Sequence, residues 1–383
     1  MQQAFTEHIY DVVIVGAGPA GCACALALKD SGLRVVLIDK ASFPRDKVCG
    51  DAIPGRAIKT LRAIDPAFAQ AFAQYAQKYD TQHTTLYYNR RQLTFSWVQP
   101  AYTCRRVDFD NFLLELVQQH TNTTIKTGTA CTELVRNAAG VTITAGGERY
   151  TAQMVVGADG AHSVAGKHLA PRPLDRAHHA GSVRAYYANI SGLQADTTEI
   201  FFERRFLPSY LWVFPLPGNV ANVGFGMLSS EIVKRRINLK TAFHEFIDNM
   251  PELKARFANA EPVSTLDGFG LPLGSKPGVL SGDRFLLAGD AASLIDPISG
   301  DGIGNAMLSG RHAGEQVKRC FAENDFSATA MKPYDAAVMN ALGKELRWRH
   351  RAQQVLGGMP LLLDAVFAAG NNRLVKKMIQ RAL

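Results

Sequence analysis

The stretch Asp11-Val12-Val13-Ile14-Val15-Gly16-Ala17-Gly18-Pro19-Ala20-Gly21 carries a short apolar run directly into glycines and small residues. The run reads as a buried strand from Asp11 to Val15, followed by a glycine turn and a small-residue helix from Ala20 to Ser31. A second buried strand, Arg34 to Ile38, completes one β-α-β unit. In this G-x-G-x-x-G turn, Gly16 makes the tight bend, Gly18 removes the Cβ that would block close approach, and Gly21 lets helix and strand pack. With Pro19 and Ala20 they place backbone N–H groups and the positive end of the helix dipole where a pyrophosphate can lie. Asp39 ends the second strand, placed to accept ribose hydroxyls, and Lys40 beside it joins the same cofactor-binding set.

Working outward, 383 residues exceed a single domain, so two packed domains with a sizeable core are expected. The chain is 47% hydrophobic and 20% charged, which excludes disorder as its main character. Lys and Arg exceed Asp and Glu by eight, and six of those excess charges fall between Ala341 and Leu383. A nearly neutral remainder argues against nucleic-acid binding. The six cysteines form no C-x-x-C and no secretory leader is recognisable, which predicts a reducing, cytoplasmic setting. The longest apolar stretch, Val12 to Leu28, is broken by glycines and Pro19 and falls short of the ~20 residues a spanning helix needs.

Further along, Thr85 to Trp97 alternates as a hairpin around Asn89 to Gln92, and Phe109 to His120 reads as a helix capped by Asp108. Strands are predicted at Thr123 to Val135, Val141 to Ala145 and Met154 to Val156. The β-branched and aromatic stretch Gly181 to Leu228 predicts an antiparallel sheet. A helix from Leu239 to Met250, a strand from Arg284 to Ala288 and a helix from Gly304 to Asn324 follow, with no internal repeat or low-complexity linker.

Two more segments, Val155-Val156-Gly157-Ala158-Asp159-Gly160 and Phe285-Leu286-Leu287-Ala288-Gly289-Asp290-Ala291, each run a buried strand into an aspartate. With the first glycine turn, in this order, they resemble the flavoprotein hydroxylase superfamily. The resemblance implies an α/β protein with a p-hydroxybenzoate hydroxylase-like fold: a Rossmann-like FAD-binding domain on a parallel sheet, interwoven with an antiparallel β-sheet substrate domain, plus a helical C-terminal tail. The expected division is 1-80, 101-176 and 279-345 for FAD, 81-100 and 177-278 for substrate, and 346-383 for the helical basic tail. The resemblance also implies FAD as cofactor, with Asp290 on the ribityl chain beside Gly289, Asp159 supporting the cofactor region, and Arg106 approaching the FAD from the side. The run Asp296-Pro297-Ile298-Ser299-Gly300-Asp301-Gly302-Ile303-Gly304 puts free N–H groups, around Pro297, Gly300, Gly302 and Ile303, at a helix start suited to the negative charge of reduced flavin.

Arg45-Asp46-Lys47-Val48-Cys49-Gly50-Asp51 and Tyr210-Leu211-Trp212-Val213-Phe214-Pro215 look like the geranylgeranyl reductase family of FAD-dependent oxidoreductases. That family carries a Cys-Gly pair near the flavin, often with a further glycine where this chain has Asp51, and a Y-x-W-x-F-P signature on the substrate sheet. On a strand, Tyr210, Trp212 and Phe214 share one face and would line a slot for a long apolar chain. Cys49, with Arg45 and Lys47 favouring thiolate, would assist proton transfer. The catalytic set is therefore Cys49, Gly50, Tyr210 and Trp212.

The implied function is reduction of C=C double bonds in a prenyl or other long apolar substrate by hydride transfer from reduced FAD. A flavin monooxygenase or halogenase working through a C4a-hydroperoxide is the alternative, although halogenases carry a W-x-W-x-I-P-like segment that differs here. A flavin- and lipid-binding protein without turnover is the third reading. No G-x-S-x-G, P-loop or H-E-x-x-H is present, so neither a hydrolytic nor a metal site is expected. Without a second dinucleotide fingerprint, the electron donor is NAD(P)H visiting briefly or a reduced carrier protein. Arg347-Trp348-Arg349-His350-Arg351 and the later Arg373, Lys376, Lys377 and Arg381, interleaved with apolar residues, suit a charged capping helix or peripheral contact with a membrane surface.

Overall fold

Strands that are apolar at every position fit only where both faces are covered. Val12–Val15, Val35–Ile38 and Met154–Gly157 are such strands, and each is buried along its whole length. The computed structural model describes residues 6–358 and 360–370. In it these strands form the centre of a six-stranded sheet, ordered Ser281–Gly282, Phe285–Leu287, Met154–Gly157, Val12–Val15, Val35–Ile38 and Thr124–Lys126. All neighbours run parallel except the edge pair of Ser281–Gly282 with Phe285–Leu287. The C-terminal ends of the five parallel strands, with the turns that follow them, therefore open on one side of the sheet, where ligands bind in open α/β sheets.

The helix Pro19–Ala27 packs on this sheet, and the 21-residue helix Ile303–Glu323 crosses it closely, with Gly314 set against Ala27. A four-stranded sheet of Glu7–Ile9, Glu148–Ala152, Val141–Ala145 and Cys131–Arg136 lies beside them.

The second large sheet has nine strands, and its path runs through His179–Ala188, Val220–Leu228, Tyr210–Leu216, Thr197–Phe202, Tyr79–Tyr88 and Arg91–Thr103. Its outer face has a core of its own. Leu211, Val213, Phe225 and Phe201 pack there against Phe243 and Phe246 of the helix Leu239–Asn249. Each fully buried phenylalanine stabilises this layer by about 1.5–3 kcal/mol. The helix Ala328–Gly358 and the short helix Pro360–Ala368 follow, and Leu363 and Phe367 cover Leu86, Tyr88, Leu93 and Phe95 of the hairpin.

Several local expectations need correction. The helix after the hairpin spans Arg106–His120 with Arg105 preceding it, so Asp108 lies inside the first turn and caps nothing. The expected strand Thr123 to Val135 is two strands in different sheets, because a glycine turn at Gly128 (φ 65) redirects the chain between them. The substrate sheet is not wholly antiparallel, since Thr197–Phe202 runs parallel to His83–Tyr88 of the hairpin. Arg373, Lys376, Lys377 and Arg381 lie outside the described residues. No described helix is long and apolar enough to cross a membrane.

Candidate functional site

One cavity of about 1370 Å³ lies between the two large sheets. It exceeds the ~300–1,000 Å³ of an ordinary single-ligand pocket, so it has room for a cofactor and a second molecule. Its floor is the glycine turn. Gly16 takes φ 103, and a Cβ at Gly21 would overlap the Gly16 carbonyl, so neither position accepts a side chain. Gly18 differs, because its missing Cβ would meet no protein atom nearer than Arg45 Nη2 at 3.6 Å. Packing within the chain does not demand glycine there; close approach of a ligand does. Asp39 braces this turn, accepting hydrogen bonds from the Ala17 amide (2.7 Å) and the Ala41 amide (2.9 Å).

Gly16, Gly18, Pro19, Ala20, Asp39, Lys40 and Asp159 line the cavity, whereas Gly21 and Gly289 sit behind its surface. Asp290, Pro297, Gly300, Gly302 and Ile303 line it too. Asp290 pairs with Lys47 at 3.2 Å. Asp159 is turned to its own backbone: its carboxylate accepts from the Val164 and Ala165 amides and from Ser163 Oγ, capping the helix Val164–Leu169. The helix Pro19–Ala27 starts at Gly18 with no side-chain cap, which leaves its first-turn amides to a ligand. The free N–H groups expected around Pro297, Gly300 and Ile303 are not found: the Ile303 amide donates to the Asp301 carboxylate (3.1 Å), the Gly300 amide to the Asp296 carbonyl, and Pro297 has no N–H.

Arg106, expected to approach the FAD from the side, lines the cavity and is held there by a buried pairing. Arg106 is buried, and Nε and Nη2 both donate to Asp110, at 2.7 and 2.6 Å. Arg45 Nη1 reaches the same carboxylate at 3.0 Å. Two guanidiniums are thus held by one buried acid, and Arg45 remains the one beside the glycine turn.

Tyr210, Trp212 and Phe214 point into the cavity while Leu211 and Val213 face the outer core, as strand alternation requires. The Tyr210 hydroxyl donates to the Ser299 carbonyl (2.6 Å), linking this strand to the loop ahead of Ile303–Glu323. Gly50 lies against Trp212 and Phe214. Cys49 is not disposed to ionise as expected: burial raises its pKa, and the cation against its sulfur is Arg106, with Lys47 contributing less and Arg45 nothing. It stays a thiol at neutral pH.

Sequence reasoning missed the polar residues behind this wall. Asp51, Asn222, Tyr186 and Arg184 are buried together, and Asn222 bonds the Trp212 indole N–H at 2.8 Å. An asparagine in the otherwise apolar strand Val220–Leu228 was the available signal.

Residues 9–223 match the family model described as an FAD binding domain. Over 358 residues the chain is 30% identical to digeranylgeranylglycerophospholipid reductase of Methanocella arvoryzae, covering 91% of this chain and 87% of that protein. The chain belongs to the geranylgeranyl reductase family of FAD-dependent oxidoreductases. FAD is its cofactor, and the open face of Gly18 together with the uncapped start of Pro19–Ala27 fits that dinucleotide. The menaquinone reductase of Mycobacterium tuberculosis is 28% identical, over 80% of this chain and 76% of its own length. Among solved structures, a geranylgeranyl bacteriochlorophyll reductase-like protein from Thermoplasma acidophilum superposes with a TM-score of 0.82 at 24% identity, covering 96% of this chain and 92% of its own. A flavin-dependent brominase superposes at 0.80 with 21% identity, over 98% of this chain and 93% of its own. The p-hydroxybenzoate hydroxylase-like fold is therefore shared by family members and halogenases alike, and fold alone does not choose the chemistry.

Proposed function

We propose that this protein reduces C=C double bonds in the prenyl chain of a lipid or quinone. One observation carries the reading: the cavity that Cys49, Gly50 and Trp212 line is also lined by an apolar cluster of Leu86, Ile200, Phe202, Leu363 and Phe367. On this wall Trp97 donates to Thr84 and the hydroxyls of Thr84 and Thr198 bond one another, so these polar groups ask nothing of a ligand. Such a lining suits hydrocarbon. The names of the relatives from Methanocella arvoryzae and Mycobacterium tuberculosis point to the same substrate class.

When bound, reduced FAD supplies the hydride. The chain does the rest. The Gly16–Gly21 turn would hold the dinucleotide together with Asp39 and with Asp290 and its partner Lys47. Tyr210, Trp212 and Phe214 hold the alkene against the Cys49-Gly50 turn and exclude water. Cys49, kept as a thiol by burial, holds a proton at Sγ for the second alkene carbon. The donor that reloads the cofactor is NAD(P)H or a reduced carrier protein. Delivery of the substrate involves peripheral membrane contact near Arg347, Trp348 and Arg351, where Trp348 is 47% exposed.

The test is anaerobic mixing of photoreduced, FAD-loaded protein with a geranylgeranyl lipid. The flavin absorbance is expected to return. A flavin that stays reduced until oxygen is admitted contradicts the proposal and favours hydroxylase or halogenase chemistry.

A further inference from the structure

Between the glycine turn and the aromatic strand lies a carboxyl group that neither cofactor binding nor the apolar wall accounts for. Asp51 follows the Cys49-Gly50 pair, is fully buried, and holds a left-handed backbone (φ 63) that a residue with a side chain adopts only at some cost. Such a conformation persists when the surroundings hold the residue from several sides. Here the Tyr186 hydroxyl and Asn222 Nδ2 both donate to Oδ2 at 2.8 Å, and the Arg106 backbone N–H donates to Oδ1 at 3.2 Å.

The same partners reach the reaction wall. Asn222 Nδ2 also donates to the Cys49 carbonyl (2.7 Å), and Asn222 Oδ1 accepts from the Trp212 indole N–H (2.8 Å). Cys49 is thereby held through its carbonyl and Trp212 through its indole by the one amide group that also bonds the Asp51 carboxylate. A left-handed turn at Asp51 thus aims its carboxyl at the asparagine that holds the Cys49 carbonyl and fastens the indole.

Resting on the reductase reading for the use of this wall, we propose that Asp51 is the positioning residue that fixes the Cys49 thiol and the Trp212 indole relative to each other, and that protonation of its carboxyl loosens the pair. An ionised carboxylate accepts all three donors at once. A protonated one must place a hydrogen among groups that are themselves donating, and it loses charge assistance in each remaining bond.

The groups facing it on every side are few. Tyr186 and Arg184 come from the strand His179–Ala188. Asp46, Lys47 and Cys49 come from the preceding loop, Asn222 comes from Val220–Leu228, and Cys104, Arg105 and Arg106 come from the start of the helix Arg106–His120. Arg184 and Arg105 lie over the Tyr186 ring, 4.2 and 4.9 Å from its centroid, and Arg184 pairs with Asp46 at 2.5 Å. Burial pushes the Asp51 carboxyl up to about 6, against the pull of Asn222, Tyr186 and Arg184, while Asp46 pushes it further up. The change of state therefore falls within an accessible pH range.

The experiment uses FAD-loaded protein and N-ethylmaleimide, with modification of Cys49 and Cys131 followed residue by residue by mass spectrometry. Cys49 and Cys131 are the two half-buried cysteines, and the other four are buried. Both thiols ionise well above neutrality, so the common pH slope of their thiolate fractions cancels in the Cys49 to Cys131 ratio. The Asp51 charge also raises the Cys49 pKa, and that contribution is absent alike from Asp51→Asn and Asp51→Gly. A ratio higher in Asp51→Gly than in Asp51→Asn therefore reads the loosening alone, and equal ratios overturn the proposal. The ratio is expected to rise several-fold as pH falls through about 6. In Asp51→Asn that step should vanish. In Asp51→Gly, which suits the left-handed backbone, the ratio should stand high at every pH. A flat wild-type ratio, or a step that survives unchanged in Asp51→Asn, overturns the proposal. The wild-type profile decides alone if a variant does not fold. Because no substrate is added, a flat ratio in a protein that reduces prenyl lipid removes only the role of Asp51, while a step in a protein that reduces none removes only the reductase reading.

Discussion

The two walls of the cavity are specified in opposite ways. The FAD side is built from what side chains leave out: Gly16 and Gly21 let a turn and a helix approach, Gly18 turns an open face to the cavity, and the helix Pro19–Ala27 starts with no side-chain cap. The aromatic side is built from what side chains reach for, with Asp51, Asn222 and Trp212 joined across more than a hundred residues of chain. A wall of the first kind is rigid because the backbone is packed, and a wall of the second kind is rigid only while its hydrogen bonds stand. The first should therefore fail through loss of folding and cofactor, and the second through loss of orientation with cofactor retained.

The sharpest way to break the FAD side is Asp110→Ala, which strands the guanidiniums of Arg106 and Arg45 without their shared acid. Removing one partner of a buried pair costs about 3–5 kcal/mol. Thermal unfolding with the FAD content of purified protein checks it, and retained stability would contradict the role given to this acid.

On the aromatic side, the carboxyl of Asp51 adds a pH term. Its pKa in the fold lies above that of the unfolded chain, so the folded state holds the extra proton between the two values. The stability from this group is fully present below about 4 and is lost as pH rises to about 6, by up to about 3 kcal/mol. Denaturant unfolding of wild type and Asp51→Asn across that range should show wild type losing ground to the variant as pH rises.

Gly21→Ala and Gly224→Ala form a matched pair. The first forces a Cβ into the Gly16 carbonyl, and the second forces one into the Trp212 indole. Each overpacking costs about 1–3 kcal/mol. Gly21→Ala should lose FAD on gel filtration, whereas Gly224→Ala should keep it and lose turnover. The reverse pattern would collapse the distinction between the walls.

Trp212→Phe is the mildest. It leaves Asn222 Oδ1 buried without its donor, a loss of about 1–3 kcal/mol, with FAD binding unchanged. Equilibrium FAD titration alongside thermal melts separates the two.

This contrast also explains how much could be read from the chain. Gly16 to Gly21 and the turns at Asp39, Asp159 and Asp290 were legible because each directly follows an apolar strand run, so the motif is written in consecutive residues. The alternation of Tyr210, Trp212 and Phe214 was legible for the same reason, since a strand turns sequence period directly into a face. What Arg106 would do was not legible: its partner, Asp110, lies one helical turn on in the same helix, and only packing decides whether that guanidinium looks inward or toward a ligand. Nor did spacing show that Cys49 is buried deeply enough to outweigh its basic neighbours, or that Asp51 and Asn222 meet. The split of Thr123 to Val135 between two sheets had one hint, Gly128, whose left-handed turn interrupts the run.

The most direct test of the account is the mass of a geranylgeranyl lipid recovered from FAD-loaded enzyme that is reduced repeatedly by dithionite without oxygen. The account predicts a lipid that has gained hydrogens in pairs, and it predicts that Gly224→Ala, with full FAD, leaves the lipid unchanged. A lipid of unaltered mass from the wild-type enzyme, or one that gains an oxygen atom once air is admitted, would contradict it.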